Sequence, residues 1–446
     1  MNYSIKLQDN CVIGKTLPKV EVADLLSLGN KSVEQLCCEH EGLLIFPLCI
    51  GDTEDKIAKE HIFDSSFDDS LENVTITTGN IMGFIGRGNT NMKISSRFDN
   101  DDKDYLLYYM LQKVFSINLL DLTHTSDDES IFDLLVFMFP RFLKNALQQG
   151  VYRQYIRYQY DDVRAKGAID VARHIQRNFP FRGNVAYNTR EYSRDNNVTE
   201  LIRHTIEMIR SHKFGEIVLN MDVDTKSCVK EIIEVTPLYN KGHRNNIIQK
   251  NLRSASHPYY SDYIPLIHLC IRILRWDEIK FGENTDEVNG ILFDGAWLWE
   301  EYCNTILSRH GFIHPDNRKH TDEKFLFENR RGSRYPDFLK ENIVIDAKYK
   351  HYDKDKHPAD VQRDDIHQLV AYMYMTQSKH GAFISPFQKR HEDYVSGVLN
   401  GYGGGVTLFG INIPAEASSF EDFVKQMGES EKEIETKLSS YMDRLG

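Results

Sequence analysis

Apolar and polar side chains alternate with a period of two at residues 343–349, which read IVIDAKY. This period is typical of a β-strand, and it places Asp346 and Lys348 next to each other on one face. Residues 335–339 form a second short strand candidate, and three polar residues between the two segments suit a turn. The pattern therefore predicts a hairpin that brings Asp337 opposite Asp346.

The residues of this hairpin point to metal-dependent chemistry. Two carboxylates held at one point repel each other unless a divalent cation neutralises them. A site of hard oxygen ligands suits Mg²⁺ or Mn²⁺. Lys348 can then orient a water molecule or stabilise the charge that develops at a phosphorus atom. The alternative is an exposed hairpin that carries ordinary surface charges.

A helix is predicted upstream of the hairpin, with Asp294 as its N-cap and an end near Leu307. On a helical wheel Glu300 lies within the apolar stripe, whereas Glu301 lies on the more polar side. An acid in an apolar stripe costs stability unless it is paired or has a function. Glu300 is therefore a candidate member of the acidic site.

A further helix is predicted directly after the hairpin. Its two acidic residues, Asp364 and Asp365, share one side with Gln368 and Tyr372 at helical spacing. This side is a candidate to face the hairpin, where Gln368 can orient Lys348 or a phosphate.

The rest of the pattern predicts strands near the N-terminus and helices in the middle of the chain. Residues 80–94 read as two strands joined by a glycine-containing turn that carries Arg87 and Asn89. A helix is predicted over residues 131–158, with Pro140 as a break or kink.

Capping residues mark the start of two more helices. Asn197 and Glu200 predict a capping box in the middle of the chain, and Ser418 with Glu421 predicts a cap for a C-terminal amphipathic helix that runs to about Leu445.

The composition indicates a globular protein. The 446 residues are 41% hydrophobic and 27% charged, which is typical of a globular protein of two or three domains. The first residues lack a basic segment followed by an apolar stretch, and no run of about 18 apolar residues occurs. We therefore expect a cytoplasmic protein without membrane contact. The seven cysteines have no C-x-x-C spacing and indicate neither a disulfide framework nor a zinc site.

No nucleotide site is expected in this chain. Gly14-Lys15-Thr16 is similar to the end of a P-loop, but Asp9 stands where that motif has its first glycine. Any step driven by nucleotide hydrolysis must therefore come from a partner.

Charge is distributed unevenly. Residues 1–140 contain 11 Lys+Arg against 23 Asp+Glu (−12), residues 141–253 contain 20 against 12 (+8), and residues 254–446 contain 23 against 31 (−8). A local positive field in the middle section favours contact with phosphates. A solvated helical face is the equal alternative.

The ordered motifs resemble a known nuclease family. Pro-Asp at Asp337, followed nine positions later by Asp-x-Lys at Asp346 and Lys348, resembles the catalytic core of the PD-(D/E)XK superfamily. Glu300 and Gln368 fall in the order that this superfamily expects. Across roughly residues 80 to 390 the set is similar to the McrC family, the nuclease subunits of McrBC-type restriction systems. The other matching elements are Gly167 with Asp170, Asp195-Asn196, Leu298 to Tyr302 and Asp365 to Tyr372.

This resemblance implies a fold, an activity and a partner. The fold is α/β, with a PD-(D/E)XK core of mixed sheet flanked by helices, preceded by a strand-containing N-terminal docking domain. The activity is Mg²⁺- or Mn²⁺-dependent cleavage of double-stranded DNA. Asp337, Asp346 and the Ala347 carbonyl would bind the metal, and Glu300 would hold a metal-bound water. The partner is a McrB-like AAA+ GTPase hexamer whose GTP hydrolysis this chain stimulates.

The resemblance also implies a division of the chain into domains. Residues 1–150 are the docking domain, with Arg87 and Asn89 as candidates to reach the ring. Residues 151–285 are a basic section, 286–415 the nuclease core and 416–446 a C-terminal helix that covers an edge of the core or mediates self-association.

Two other functions remain open. One is a standalone metal-dependent nuclease of DNA repair or recombination. The other is a nuclease-like adaptor that only activates its GTPase, although retention of both acids and the lysine disfavours it.

Overall fold

The computed structural model describes residues 3–12, 14–40, 43–47, 56–99, 104–115, 127–252, 258–280, 288–315, 322–352, 357–388, 395–401 and 403–445. The chain divides into two compact units. Unit 1 comprises Met1–Ile131 together with Phe281–Gly446, and unit 2 comprises Phe132–Lys280.

The strands in the described residues are β1 Tyr3–Gln8, β2 Lys15–Pro18, β3 Leu43–Phe46, β4 Phe63–Phe67, β5 Asn73–Thr78, β6 Ile81–Arg87, β7 Thr90–Ser95, β8 Gln154–Asp162, β9 Ala168–Ile169, β10 Val185–Ser193, β11 Val288–Asp294, β12 Lys324–Phe327, β13 Arg331–Arg334, β14 Phe338–Lys340, β15 Ile343–Ala347, β16 His380–Phe387, β17 Val395–Val398 and β18 Gly405–Asn412.

The α-helices in the same residues are α1 Lys19–Val22, α2 Val33–Glu39, α3 Tyr105–Phe115, α4 Asp127–Gln148, α5 Val171–Asn178, α6 Asn197–Arg210, α7 Gly215–Leu219, α8 Val223–Val235, α9 Arg244–Asn251, α10 Tyr263–Lys280, α11 Gly295–Leu307, α12 Arg363–Thr376 and α13 Phe420–Leu445. None of these helices is long and apolar enough to cross a membrane.

The first sheet of unit 1 joins distant parts of the sequence. Its strand order is β1-β7-β6-β11-β3, so β11 lies between two strands of the N-terminal region. β11 is antiparallel to β6 and parallel to β3. Its apolar run Ile291, Leu292 and Phe293 is buried, as expected for an interior strand. The N-terminal strands and the segment after residue 286 therefore share one core, a division that differs from the predicted boundary at residue 150.

The second large sheet of unit 1 carries the predicted hairpin. Its order is β14-β15-β16-β18-β17. β15, β16 and β18 are parallel, whereas β14 and β17 are antiparallel to their neighbours. Helices α11 and α12 pack on β15, and α13 packs on β18. The expected mixed sheet flanked by helices is confirmed.

Helix α13 is anchored in the core of unit 1 by a buried acid. Glu431 accepts hydrogen bonds from the hydroxyl groups of Tyr109, at 2.7 Å, and Tyr302, at 3.0 Å. Its other oxygen pairs with Lys113 at 2.8 Å. These bonds join α13 to α3 and α11, so the C-terminal helix packs within unit 1 and on a central strand of its sheet. Its cap differs in detail from the prediction, because Ser418 bonds to Asp422.

The predicted helix over residues 131–158 is wrong in its last part. Helix α4 continues through Pro140 and ends at Gln148, and Gly150 then takes a positive φ of 85°. Residues after it form β8, which pairs with β10 along its whole length. The alternation of aromatic and arginine residues here is therefore a strand pattern with a period of two.

The cap of α6 lies one residue earlier than predicted. The Asn196 side chain accepts hydrogen bonds from the main-chain amides of Val198 and Thr199, and its partner in the capping box is Thr199. Asn196 is extended, as an N-cap must be, whereas Asn197 is already helical. Glu200 has no part in this cap.

Candidate active site

The hairpin of β14 and β15 sets the position of the two aspartates. Phe338 pairs with Ile345 in this antiparallel hairpin. Asp337, directly before Phe338, and Asp346, directly after Ile345, therefore lie at the same end of the strand pair. The Ala347 amide donates a 2.7 Å hydrogen bond to Asp337 Oδ2, which fixes this carboxylate beside the end of β15. The structure thus brings together the two acids that the sequence pattern paired.

Asp346 is the most deeply buried of these groups, with 0% of its surface exposed. Lys348 Nζ lies 2.7 Å from Asp346 Oδ2 and forms an ion pair with this buried carboxylate. Burial and the neighbouring Asp337 raise the pKa of Asp346 well above its usual range. A buried carboxylate in this state is stabilised by an added cation.

Lys348 remains charged beside the aspartates. Burial alone would lower its pKa, but the charges of Asp346 and Asp337 outweigh burial and raise the pKa of Lys348 above its usual value. Its Nζ donates a 3.0 Å hydrogen bond to Gln368 Oε1, and Gln368 Nε2 donates a 2.9 Å bond to the Tyr372 hydroxyl. Gln368 therefore holds the lysine from α12.

Asp365 supports the same wall of the site. It is buried, accepts a 2.7 Å hydrogen bond from Lys350 Nζ, and also bonds to the hydroxyl of Tyr352. Lys348 Nζ lies 3.9 Å from its other oxygen. Asp364 is exposed. Of the two acids predicted on this side of the helix, only Asp365 faces the lysines.

Glu300 enters the site from α11. Asp294 caps this helix, as predicted, by accepting a 2.8 Å hydrogen bond from the Ala296 amide. Burial, followed by the nearby charges of Glu301 and Asp346, raises the pKa of Glu300 to about 8. The Glu300 side chain is still 31% exposed, so an ion arriving from solvent can reach it.

Asp337 shares this negative environment. Burial and the charge of Glu300 raise its pKa to about 7. Glu300 raises the pKa of Asp337, and Asp337 raises the pKa of Asp346, so these carboxyl groups disfavour one another's ionised forms. Their charge is only partly balanced by Lys348.

The donor set fits a hard cation that keeps part of its water shell. Across the described ranges, no three His, Cys, Asp or Glu side chains are close enough to form a complete protein ligand set. Mg²⁺ commonly binds through one or two carboxylates and several waters. Asp337 and Asp346, which lie at the same end of the β14–β15 pair, supply that number of carboxylates.

The raised carboxyl pKa values predict a pH-dependent stability. Between the ordinary pKa values near 4 and the raised values of about 7 for Asp337 and about 8 for Glu300, the folded chain binds more protons than the unfolded chain. These groups therefore make the metal-free chain less stable as pH rises from about 4 to about 8.

Thermal melting in EDTA from pH 5 to pH 8 tests this sign. We expect the melting temperature of the double variant Asp337→Asn/Glu300→Gln to increase relative to that of wild type as pH rises. Added Mg²⁺ should stabilise wild type at pH 8 and leave the variant unchanged. A constant difference between the two proteins across this pH range would contradict the prediction.

The two neighbouring glutamates of α11 provide a matched pair. Because Glu300 shares the electrostatic environment of Asp346, Glu300→Gln should lower the Mg²⁺-dependent DNA cleavage that the family resemblance implies by about 10- to 100-fold. Glu301→Gln should change it little. Initial cleavage rates at several Mg²⁺ concentrations measure both effects, and wild-type rates for both variants would exclude α11 from the site.

Arg87 and Asn89 lie at the predicted turn between β6 and β7. The Arg87 guanidinium donates a hydrogen bond to Ser27 Oγ, and the Asn89 amide donates a 2.9 Å bond to Asp24 Oδ2. Both contacts hold the turn against the 3₁₀ helix Ala23–Leu28. The Asn89 side chain is exposed, so it can contact a partner.

His314 is a site neighbour that the sequence did not indicate. Its Nδ1 lies 2.7 Å from the Asp337 main-chain oxygen, and its Nε2 lies 3.8 Å from Glu300 Oε1. The contacts span 23 and 14 residues of sequence, and no local motif marks them.

Comparison with protein families gives one match. A family model described as "McrBC 5-methylcytosine restriction system component" matches residues 76–386, well over half of the chain. Comparison with curated proteins found no match.

Solved structures of McrBC assemblies are similar to this chain, among them two from Thermococcus gammatolerans. The first is a half-complex from a tetradecameric assembly of Thermococcus gammatolerans McrB AAA+ hexamers with bound McrC, with 15% identity, a TM-score of 0.45, and coverage of 96% of this chain and 99% of that chain. The second is the Thermococcus gammatolerans McrBC complex, with 14% identity, a TM-score of 0.31, and coverage of 69% and 87%. At these scores the likeness does not establish a common fold.

Proposed function

Because the chain belongs to the family of McrBC 5-methylcytosine restriction system components, we propose that it is the DNA endonuclease subunit of a GTP-dependent restriction complex. The complex would act in the cytoplasm in defence against phage. The observation that carries this proposal is the buried Asp346, which lies beside Asp337 and forms an ion pair with Lys348, in the order of a PD-(D/E)XK core.

Each residue has a role in phosphodiester hydrolysis. Asp337, Asp346 and the carbonyl of Ala347 would hold Mg²⁺ or Mn²⁺, and Glu300 would hold a water bound to it. The bound cation supplies charge stabilisation at the phosphate and lowers the pKa of a coordinated water. Lys348 positions the attacking water near the phosphorus. Gln368 keeps the lysine in that orientation through the 3.0 Å hydrogen bond described above.

The partner is proposed from family membership and from chemistry. The similar solved structures contain McrB AAA+ hexamers with bound McrC. We propose that this chain likewise docks on an AAA+ GTPase hexamer, raises its GTP turnover and receives double-stranded DNA from it. Cleavage of both strands requires two cuts, which self-association of two nuclease sites would provide.

Docking is proposed to use the acidic N-terminal region, with the turn at Arg87 and Asn89 as a contact. A fragment of residues 1–150 is a poor test, because it lacks β11, which completes the first sheet between β6 and β3. Substitutions in the full chain avoid this problem.

The proposal predicts that Asn89→Ala and Arg87→Ala lower stimulation of the partner's GTP turnover by about 5-fold or more. The matched control is Arg157→Ala, which removes an exposed arginine on β8 of unit 2. A larger loss of GTPase stimulation in Arg157→Ala than in Asn89→Ala and Arg87→Ala would indicate that the docking surface lies on unit 2. There, Tyr155 and Tyr192 are exposed and Arg190 lies over the Tyr155 ring.

Reconstituted cleavage tests the proposed activity. The purified chain, its AAA+ partner, GTP and plasmid DNA with and without 5-methylcytosine are combined in Mg²⁺ or in EDTA. We expect linear DNA only in Mg²⁺. Raised GTP turnover without any cleavage would favour the adaptor, and cleavage that is independent of the partner would favour a standalone nuclease.

A further inference from the structure

The loop after α11 brings an imidazole into the site. The helix ends at Leu307, and Gly311 takes a positive φ of 79° that turns the chain. Ile313 then pairs with Leu339 through two main-chain hydrogen bonds of 2.7 and 2.9 Å. This isolated bridge to β14 fixes the backbone directly before His314.

The ring of His314 is held in one orientation. It stacks on the buried Phe338 ring, with 5.0 Å between centroids and an angle of 27° between the planes. Its Nδ1 faces the main-chain oxygen of Asp337 at 2.7 Å, and a carbonyl can only accept, so Nδ1 carries the hydrogen. The ring therefore holds the main chain of Asp337, whereas the Ala347 amide holds its carboxylate.

The second nitrogen points to the other acidic element. Nε2 lies 3.8 Å from Glu300 Oε1, and the His314 side chain is only 18% exposed. This separation exceeds a direct hydrogen bond and suits one bridging water or a small shift of the Glu300 side chain. One imidazole thus lies between the α11 glutamate and the β14 aspartate, groups that otherwise belong to separate elements.

We propose that His314 is a positioning residue that holds Glu300 and Asp337 at the separation required for the divalent cation. The inference rests on the proposed function, because it assigns His314 to the same metal site. Residues that orient metal-binding groups typically contribute about 10- to 100-fold to metal affinity or activity.

The two ring nitrogens can be replaced separately. An asparagine amide reaches the position of Nδ1, and a glutamine amide reaches the position of Nε2. His314→Ala removes both contacts, and the exposed His367 on α12 offers a control as His367→Asn. Binding of Mn²⁺ is measured by electron paramagnetic resonance of the free ion, without DNA, partner or turnover.

We expect His314→Ala to weaken Mn²⁺ binding about 10-fold, with smaller losses in His314→Asn and His314→Gln and none in His367→Asn. In a Glu300→Gln background the loss caused by His314→Ala should shrink, because residues that act through each other are not additive. Thermal melting checks folding, and His314→Asn gives the answer if the alanine variant does not fold.

Wild-type Mn²⁺ affinity in all three His314 variants would overturn this inference and leave the nuclease proposal standing. An equal loss in both backgrounds would also overturn it, because His314 would then not act through Glu300. Absence of Mn²⁺ binding by the wild-type chain would overturn the metal site and the inference together.

Discussion

Replacing Asp346 by asparagine is expected to lower DNA cleavage by at least about 10²- to 10³-fold while the chain stays folded and still binds its partner. The reason is the position of this carboxylate, which is completely buried and lies 2.7 Å from Lys348 Nζ, beside Asp337. Asparagine keeps the shape of the side chain but removes the charge that would hold the cation. Asp337→Asn should cause a loss of similar size.

Lys348→Met is expected to be equally inactive but less stable. The sequence alone suggested exposed charges, whose removal costs little, but Lys348 is only 14% exposed and is paired with a buried acid. Breaking one side of a buried pair leaves an uncompensated charge. The double variant Asp346→Asn/Lys348→Met removes both charges and should melt at a higher temperature than Lys348→Met in EDTA.

Cleavage assays and thermal melting of these variants decide the assignment. Asp364→Asn is the matched control, because this acid on α12 is exposed and should retain activity. Cleavage at the wild-type rate by Asp346→Asn would exclude the proposed metal site. Equal melting temperatures of Lys348→Met and the double variant would show that Asp346 and Lys348 are not energetically coupled.

The sequence predicted the parts of the site that depend on local patterns. The alternation around Asp346, the cap at Asp294 and the helical spacing of Gln368 and Tyr372 are each encoded within a few residues, and the structure has the corresponding elements. The apolar stripe on the helical wheel likewise selected Glu300 rather than Glu301 as the candidate of α11.

The missed features depend on contacts between distant segments. The sequence places β11 far from the N-terminal strands, and only the sheet shows that it lies between β6 and β3. Tyr155 and Arg157 fit either a helix or a strand, and pairing with β10 decides for the strand. His314 acts through tertiary contacts alone, so no periodic pattern could identify it.

The second large effect is expected when GTP and the AAA+ partner are added to the cleavage reaction. Gly14 has a positive φ of 70°, and Lys15 and Thr16 begin the strand β2, whereas the lysine of a P-loop stands at the start of a helix. This segment therefore lacks the helix N-terminus on which a P-loop holds phosphates. In the proposed complex, the AAA+ partner would supply the GTP-driven step that brings DNA to the nuclease site.

We therefore expect DNA cleavage by the full chain in Mg²⁺ to rise by at least about 10-fold when both the AAA+ partner and hydrolysable GTP are added. A GTP analogue that cannot be hydrolysed should leave cleavage near the level of the chain alone. The inactive Asp346→Asn variant is the control, because it should raise GTP turnover as well as wild type while producing no cleavage. We expect cleavage and GTPase stimulation to separate in this variant because they use different parts of the chain. The Asp346 carboxylate would act on DNA, whereas the docking surface would act on the ring. Loss of GTPase stimulation in Asp346→Asn, or equal cleavage without partner and GTP, would show that motor and nuclease are not divided between two chains in this way.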